Sequence, residues 1–393
     1  MCRSSTWTEF SLLPLTEPEP LSPSDTDHQK PDISPPRIRS YRQLALAYFV
    51  GLLCLVAGGG VWFWLYPDQP GPPRTAALTV EIPAGTGLLG IKNTLTQAGV
   101  ISDDFRFILL AKLLGAAKGL KAGEYAFAPG LSPRAVILLL ASGKTVRRAI
   151  TLPEGFTLYQ TAALIKDGGW GRQEDFLELT SDPEFISGFG LQAKTFEGYL
   201  FPDTYFFEKG TALREVVKTM VKRMLLVLDE ERAKQGQAGQ EVETSLLSPY
   251  EVLILASIIE KETALPAERP LVAKVFLNRL KLGMKLQTDP TVIYGLGKFG
   301  LQLTKDDLST PTPYNTYANR GLPVGPICSP GRTAIAAVLK PATEGFTYFV
   351  SQNDGSHYFS KSLSEHNQAV ARYRKKRGEA QEAGLNGQES EER

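Results

Sequence analysis

From Leu44 to Tyr66 the chain runs LALAYFVGLLCLVAGGGVWFWLY without a charged side chain, and no other stretch restricts its folding as strongly. In a helix rising about 1.5 Å per residue, that length covers a bilayer core of roughly 30 Å. Lipid leaves backbone N–H and C=O groups no partners but each other, so Gly58, Gly59 and Gly60 do not argue against a helix here. Arg37, Arg39 and Arg42 crowd its N-terminal side, whereas Pro67 and Asp68 follow it. The tendency of positive flanks to stay cytoplasmic predicts a cytoplasmic N-terminus, with everything beyond Tyr66 outside the cytoplasmic membrane. Trp62, Trp64 and Tyr66 suit the headgroup level at the outer end. A cleaved signal peptide fits poorly: the run starts late, at Leu44, exceeds a typical h-region and has no Ala-x-Ala site after it. The expectation is a single-pass protein of the cytoplasmic (inner) membrane that meets the lipid bilayer through Leu44 to Tyr66.

Residues 1–43 are rich in Pro, Ser, Thr, Asp and Glu and read as a disordered cytoplasmic tail. In 67–75, Pro67, Pro70, Pro72 and Pro73 make a stiff linker, and 376–393 read as a disordered charged tail. The 43 Lys+Arg against 42 Asp+Glu give a net charge of +1, which supplies no field to draw nucleic acid. Cys2, Cys54 and Cys328 fall in the tail, the apolar run and far downstream, so the main body has no disulfide framework. His28, His357 and His366 are scattered, with no ligand-pair spacing and no Cys cluster, so no metal and no other cofactor is expected.

Residues 76–148 follow the order strand, helix, helix, strand, helix. Val80 to Ile82 is a short strand, and Leu88, Ile91 and Leu95 then recur at helical spacing until Gly99. A second helix opens near Asp104 and stops at Gly115, and Gly123 to Phe127 alternates as a strand. Ser132 caps a helix with Pro133 at its first position, which runs through Leu140 and ends at Gly143.

From 149 to 375 the pattern is mixed, so the chain as a whole is expected to be α+β. Thr157 and Gln160 make a capping box. In Glu197-Gly198-Tyr199-Leu200-Phe201-Pro202-Asp203-Thr204-Tyr205, aromatic rings surround two carboxylates on a backbone bent by Gly and Pro. Rings pack on the C–H faces of sugars and carboxylates accept from hydroxyls, although a plain turn with a satisfied acid has the same composition. Leu286 to Gly295, Pro313 to Tyr317 and Gly321 to Ile327 read as bent loops dense in amide, hydroxyl and phenol groups. These suit sugar hydroxyls and N-acetyl groups, and ordinary structured loops equally.

Ser248 to Thr263 (SPYEVLILASIIEKET) is the most informative stretch. Ser248, Pro249 and Glu251 open a helix whose Val252 to Ala256 is apolar nearly all round and therefore buried. Glu260 lies four residues after Ala256 and seven after Leu253, on a face continuous with the apolar one. Burial raises a carboxyl pKa at a cost in stability, and such a group is suited to protonate a departing glycosidic oxygen. Periodicity leaves two alternatives: Glu260 as a helix-end residue paired with Lys261 or Arg269, and Glu262 in its place, because Glu262 shares a face with Leu255 and Ile258.

The succession EGYLFPDTY, ASIIEKET, LNRLKLGMKLQTDPTVIYG, PYNTYANRGLPVGPI and YFVSQNDGSHYFSKSLSEHN resembles the MltG-type, or YceG-like, endolytic murein transglycosylases over about residues 76–373. The segment LKAGEYAF with LSPRAVILLLASGK resembles the small LysM-like βααβ module that precedes their catalytic domain. The resemblance implies a module at 76–148, a mixed α/β catalytic domain at 149–375, and Glu260 as the catalytic acid/base. It puts Glu197, Tyr199, Asp203, Gln287, Thr288, Asp289, Tyr314, Asn315, His357 and Asn367 near the cleft as substrate-binding residues. The implied reaction is non-hydrolytic cleavage of the MurNAc-GlcNAc β-1,4 bond within nascent peptidoglycan glycan strands, leaving 1,6-anhydroMurNAc ends. The implied partners are peptidoglycan synthases at the membrane. A hydrolase using Glu197, Asp203 or Asp289 beside Glu260, and a non-catalytic peptidoglycan-binding protein, remain the alternatives.

Overall fold

A computed structural model describes residues 38–237 and 247–375. The chain divides into two units between Tyr66 and Pro67. In the first, the apolar run forms α1 (Ile38–Leu65). It extends the expected span toward the N-terminus, and among the described residues it is the one helix long and apolar enough to cross a membrane. Of the tail expected at 1–43, residues 38–43 instead belong to α1, which continues the helix of the apolar run; 1–37 and the tail expected at 376–393 lie outside the described residues.

The second unit begins with β1 (Leu78–Ile82), continues through α2 (Leu88–Gln97) and α3 (Arg106–Leu113), and returns in β2 (Gly123–Phe127) and α4 (Pro133–Ser142). The two strands pair antiparallel, with Leu78 opposite Phe127 and Ile82 opposite Gly123. Val80, Ile82, Tyr125 and Phe127 point one way by the two-residue alternation of a strand. They are buried, as are Ile91, Leu95, Phe107, Leu110, Val136, Ile137 and Leu140 on the helices. Ser132 Oγ accepts from the Ala135 N–H at the head of α4, and Gly143 (φ 70°) ends that helix in the left-handed region. None of these side chains belongs to the larger core, which starts at Ile150.

That core is framed by β3 (Arg147–Thr151), paired antiparallel with β4 (Thr204–Glu208), and by the helices between and after them. These are α5 (Leu158–Asp167), α6 (Gln173–Thr180), α7 (Pro183–Ser187), α8 (Leu213–Gln237), α9 (Pro249–Glu262), α10 (Arg269–Lys281), α11 (Asp289–Leu296), α12 (Lys305–Ser309) and α13 (Arg332–Leu339). A hairpin of β5 (Tyr348–Ser351) and β6 (His357–Ser360) and a helix over 363–375 follow. Among the described residues the strands form three two-stranded antiparallel sheets, so the architecture is mixed α+β with helices dominating the larger core.

Helix α9 is the axis of that core. Its capping box at Ser248 and Glu251 forms as expected, and Val252 to Ile259 are all buried against α10 and α13. Each fully buried Leu or Ile contributes about 1.5–3 kcal/mol, which more than offsets the one polar side chain in the run. That side chain, Ser257, is itself satisfied: its hydroxyl donates to Ile254 O at 2.7 Å and accepts from the Ile327 N–H at 3.0 Å. The Cys328 thiol donates to Ser257 O at 3.3 Å. The segment from Ile327 to Gly331 is thereby strapped along α9 on its way to α13.

Leu286 to Gly295 is not a loop throughout, because α11 starts at Asp289 with Pro290 in its first turn. Proline's fixed φ suits a first turn, and the composition alone had suggested a bend.

Candidate active site

Glu260 stands where α9 leaves the core. Its side chain is 5% exposed, with Oε1 accepting from Arg269 Nη2 at 2.6 Å and Oε2 accepting from the Gly331 N–H at 2.9 Å. Arg269 is the first residue of α10 and also donates to Thr333 Oγ1. Gly331 caps α13, so its N–H has no partner inside that helix and is free to face an anion at the positive end of the helix dipole. The loop between β3 and α5 closes the other side. There Gly155 (φ 75°) lies so near that a Cβ on it would be 3.8 Å from Glu260 Cγ. This loop is clamped to the strap by Gly155 N–H on Ser329 O at 2.9 Å and Ser329 N–H on Phe156 O at 2.8 Å. It carries Glu154, whose Oε2 lies 3.7 Å from Arg269 Nη2.

Burial pushes the Glu260 carboxyl up from its ordinary range. The Gly331 N–H and Arg269 pull the other way, and the Glu154 charge pushes up again, so the net direction is up. The ion pair with Arg269 that periodicity left open is present, but it is an interior pair and not a solvent-facing one. A carboxyl held at a fixed angle by two donors, poorly solvated and with its pKa raised by burial, is equipped for general acid and base work.

Glu262 is half-buried, its carboxyl is likewise pushed up by burial, and its Oε2 accepts from the Thr288 hydroxyl at 2.7 Å. His357 engages the turn between α9 and α10: its Nδ1 lies 2.7 Å from Glu268 Oε2 and its N–H donates to Glu268 Oε1 at 2.8 Å. The Thr263 hydroxyl donates to Glu268 Oε2 at 3.1 Å. His357 thus braces the turn that delivers Arg269 to Glu260.

The aromatic segments converge into a second cluster. Glu197 is 2% exposed, and its Oε2 accepts from the Leu158 N–H at 3.1 Å and the Tyr294 hydroxyl at 2.9 Å. Burial raises its pKa to about 7. Gly198 (φ 79°) packs on Pro326, and Tyr199 stacks on Tyr250 with centroids 6.0 Å apart. Tyr294 meets Tyr314 edge-on at 4.8 Å. Gln287 is exposed with φ 51°, a left-handed conformation that costs a non-glycine residue about 1 kcal/mol and is found most often at functional positions. Asp289 accepts from the Tyr317 hydroxyl at 2.6 Å.

Other expected site residues are engaged elsewhere. Asn315 is fully buried and uses its amide inside its own loop, donating to Leu308 O and Thr310 O and accepting from the Tyr317 and Ala318 N–H groups. Asp203 is exposed at the start of β4, where it accepts from Arg223 Nε at 3.4 Å. Asn367 is exposed on the helix over 363–375, and among the described residues no hydrogen bond ties it to Glu260 or its neighbours. Conversely, Glu154 and Gly331 went unmarked in the sequence. The one signal for them was Pro153-Glu154-Gly155, a bend between a strand and a capping box.

Among the described residues, the chain combines one apolar helix long enough to cross a membrane with a mixed α+β body that holds a buried carboxyl between two donors. The pattern of the YceG-like family matches residues 80–372. An endolytic murein transglycosylase of Bacillus subtilis (strain 168) is 34% identical over 312 residues, covering 75% of this chain and 84% of that protein. One of Streptococcus pneumoniae serotype 2 (strain D39) is 30% identical over 361 residues, covering 83% of this chain and 64% of the relative. The crystal structure of a putative yceG-like protein from Listeria monocytogenes aligns with a TM-score of 0.51 at 35% identity, over 75% of this chain and 99% of that one. The chain belongs to the YceG-like family.

Proposed function

We propose that this protein is an endolytic peptidoglycan lytic transglycosylase with Glu260 as its acid and base. The observation that carries the reading is the buried carboxyl of Glu260, fixed by Arg269 and the Gly331 N–H in a chain 34% identical to an endolytic murein transglycosylase. Protonated Glu260 gives its proton to the glycosidic oxygen between MurNAc and GlcNAc as the C1–O bond breaks. The muramoyl C6 hydroxyl closes onto C1 and returns a proton to the carboxylate, so the enzyme ends as it began and a 1,6-anhydroMurNAc end is left. The nucleophile is part of the substrate, so no water has to be positioned and a second carboxylate is not obligatory. Gln287 and Tyr314 are proposed to line the glycan path, with Tyr199, buried and stacked on Tyr250, packed behind it. Glu197, Thr288, Asn315 and His357 are proposed to shape it from behind, through the hydrogen bonds described above.

The same reading places α1 in the cytoplasmic membrane with its N-terminus inside, so that the body works beside peptidoglycan synthases and limits strand length. It assigns 76–148, with its separate core, as a LysM-like module, and 149–375 as the catalytic domain. Arg37, Arg39 and Arg42 ahead of the span support the orientation.

The test is muropeptide analysis of peptidoglycan digested by the full-length protein in detergent micelles, beside Glu260→Gln. Wild type is expected to leave 1,6-anhydro ends, with the variant slower by about 10²- to 10⁴-fold. Reducing ends from wild type would identify a hydrolase, and undiminished cleavage by the variant would remove Glu260 from the mechanism.

A further inference from the structure

One guanidinium nitrogen serves two carboxylates at this site. Arg269 Nη2 lies 2.6 Å from Glu260 Oε1 and 3.7 Å from Glu154 Oε2. The two acids sit in different surroundings, since the Glu154 side chain is 49% exposed and that of Glu260 only 5%. Glu154 is not simply a surface residue that happens to be close. Its loop is clamped by the paired hydrogen bonds of Gly155 and Phe156 with Ser329, and its carboxyl lies across Gly331, where a Cβ would collide with it. Gly331 has an ordinary φ of −76°, so the backbone there does not require glycine. The space left by the missing side chain is filled by the Glu154 carboxyl.

Cleavage as proposed begins with a proton on Glu260, yet Arg269 and the Gly331 N–H both favour its charged form. Glu154 opposes them in two ways. Its own charge disfavours a second negative charge nearby, and its hold on Arg269 weakens the pull of the guanidinium on Glu260. The other charged groups near this carboxyl are Lys261 on α9, whose Nζ is turned to Gly155 O at 3.4 Å, and Glu262, which is bonded by Thr288.

We infer that Glu154 is a positioning residue for the transglycosylase reaction: by sharing Arg269 with Glu260, it keeps the catalytic carboxyl protonated before cleavage. The inference rests on the proposed function and adds no covalent step to it. Glu154→Gln removes the charge and releases Arg269 to Glu260, and both changes lower the proton affinity of Glu260. The alkaline limb of the pH profile then moves toward lower pH, and about tenfold of the rate is lost above it.

The experiment measures kcat/KM for release of 1,6-anhydro products against pH, because that profile reports groups of the free enzyme. It uses full-length wild type, Glu154→Gln, Glu154→Asp and Gly331→Ala in micelles. The expected result for Glu154→Gln is a limb displaced to lower pH with the rate on its acid side within about twofold of wild type, since only the protonated fraction has changed. Glu154→Asp restores part of the displacement, and Gly331→Ala moves the limb the same way by expelling the carboxyl from Arg269. A loss equal at every pH would mean a structural role and overturn the inference. So would a raised KM with an unmoved limb, which would mean contact with substrate, or no change at all. A wild type that cleaves nothing overturns the proposed function and this inference with it; an active wild type with an unmoved limb in the variants overturns the inference alone.

Discussion

Glu197 offers a measurement in which burial, hydrogen bonding and pH can be separated. It is 2% exposed, the Leu158 N–H and the Tyr294 hydroxyl both reach Oε2, and among the described residues Oε1 has no hydrogen-bond partner. Burial lifts its pKa from 4.5 to about 7 in the folded state. Between those values the folded protein holds a proton that the unfolded chain has lost, so stability falls as pH rises through the window and levels off above it. At 1.36 kcal/mol per unit the loss is about 3 kcal/mol. Glu197→Gln has no proton to lose. Its carbonyl oxygen accepts from the Leu158 N–H and the Tyr294 hydroxyl as Glu197 Oε2 does, and its NH2 group takes the place of Oε1. The melting temperature of the variant relative to wild type should therefore rise by roughly 6–10 °C between pH 5 and pH 8, read by thermal unfolding of the full chain in micelles. A difference that stays constant across that range would refute the argument, because it would show that Glu197 is charged or neutral throughout.

Three further outcomes follow from single residues. Asn315→Ala removes four hydrogen bonds from a buried loop, and denaturant unfolding should show a loss of about 2–4 kcal/mol. Gln287→Gly relieves a left-handed backbone, so stability should stay within about 1 kcal/mol of wild type while KM for peptidoglycan rises. An unchanged KM would take the Gln287 side chain off the glycan path. Gly198→Ala needs a Cβ at φ 79° within 2.6 Å of Pro326 Cγ, and thermal unfolding should register a destabilisation of at least about 2 kcal/mol.

The sequence was most readable where one local rule acts alone. The caps at Ser132, Thr157 and Ser248 and the glycine stop at Gly143 appear where the residues predicted them, because capping involves three or four neighbours in the chain. The burial of α9 was equally legible, since an apolar run leaves no polar face to expose. Contacts across long separations were not. Arg269 was one of two candidate partners for Glu260, and nothing local distinguished it from Lys261, whose ammonium turns to Gly155 O. Gly331 is 71 residues from Glu260 and acts through a backbone N–H that any residue but proline would carry. Asn315 and Gln287 stood in the same kind of polar loop sequence, and only the folded chain separates the amide that closes its own loop from the one left facing solvent.

The clamp on Glu260 by the N–H of Gly331, the cap of α13, has a consequence for how such a protein adapts. Helix α13 packs on α8, α9 and α10, and Ala334, Ile335, Ala337 and Val338 are buried in those contacts. A substitution in that interior that shifts the helix also moves the N–H at its head. The affinity of Glu260 for its proton can therefore drift under selection through residues that no glycan ever touches. On the proposed mechanism, the working pH of the site becomes a property inherited from core packing, open to gradual change while the residues proposed to line the cleft stay as they are.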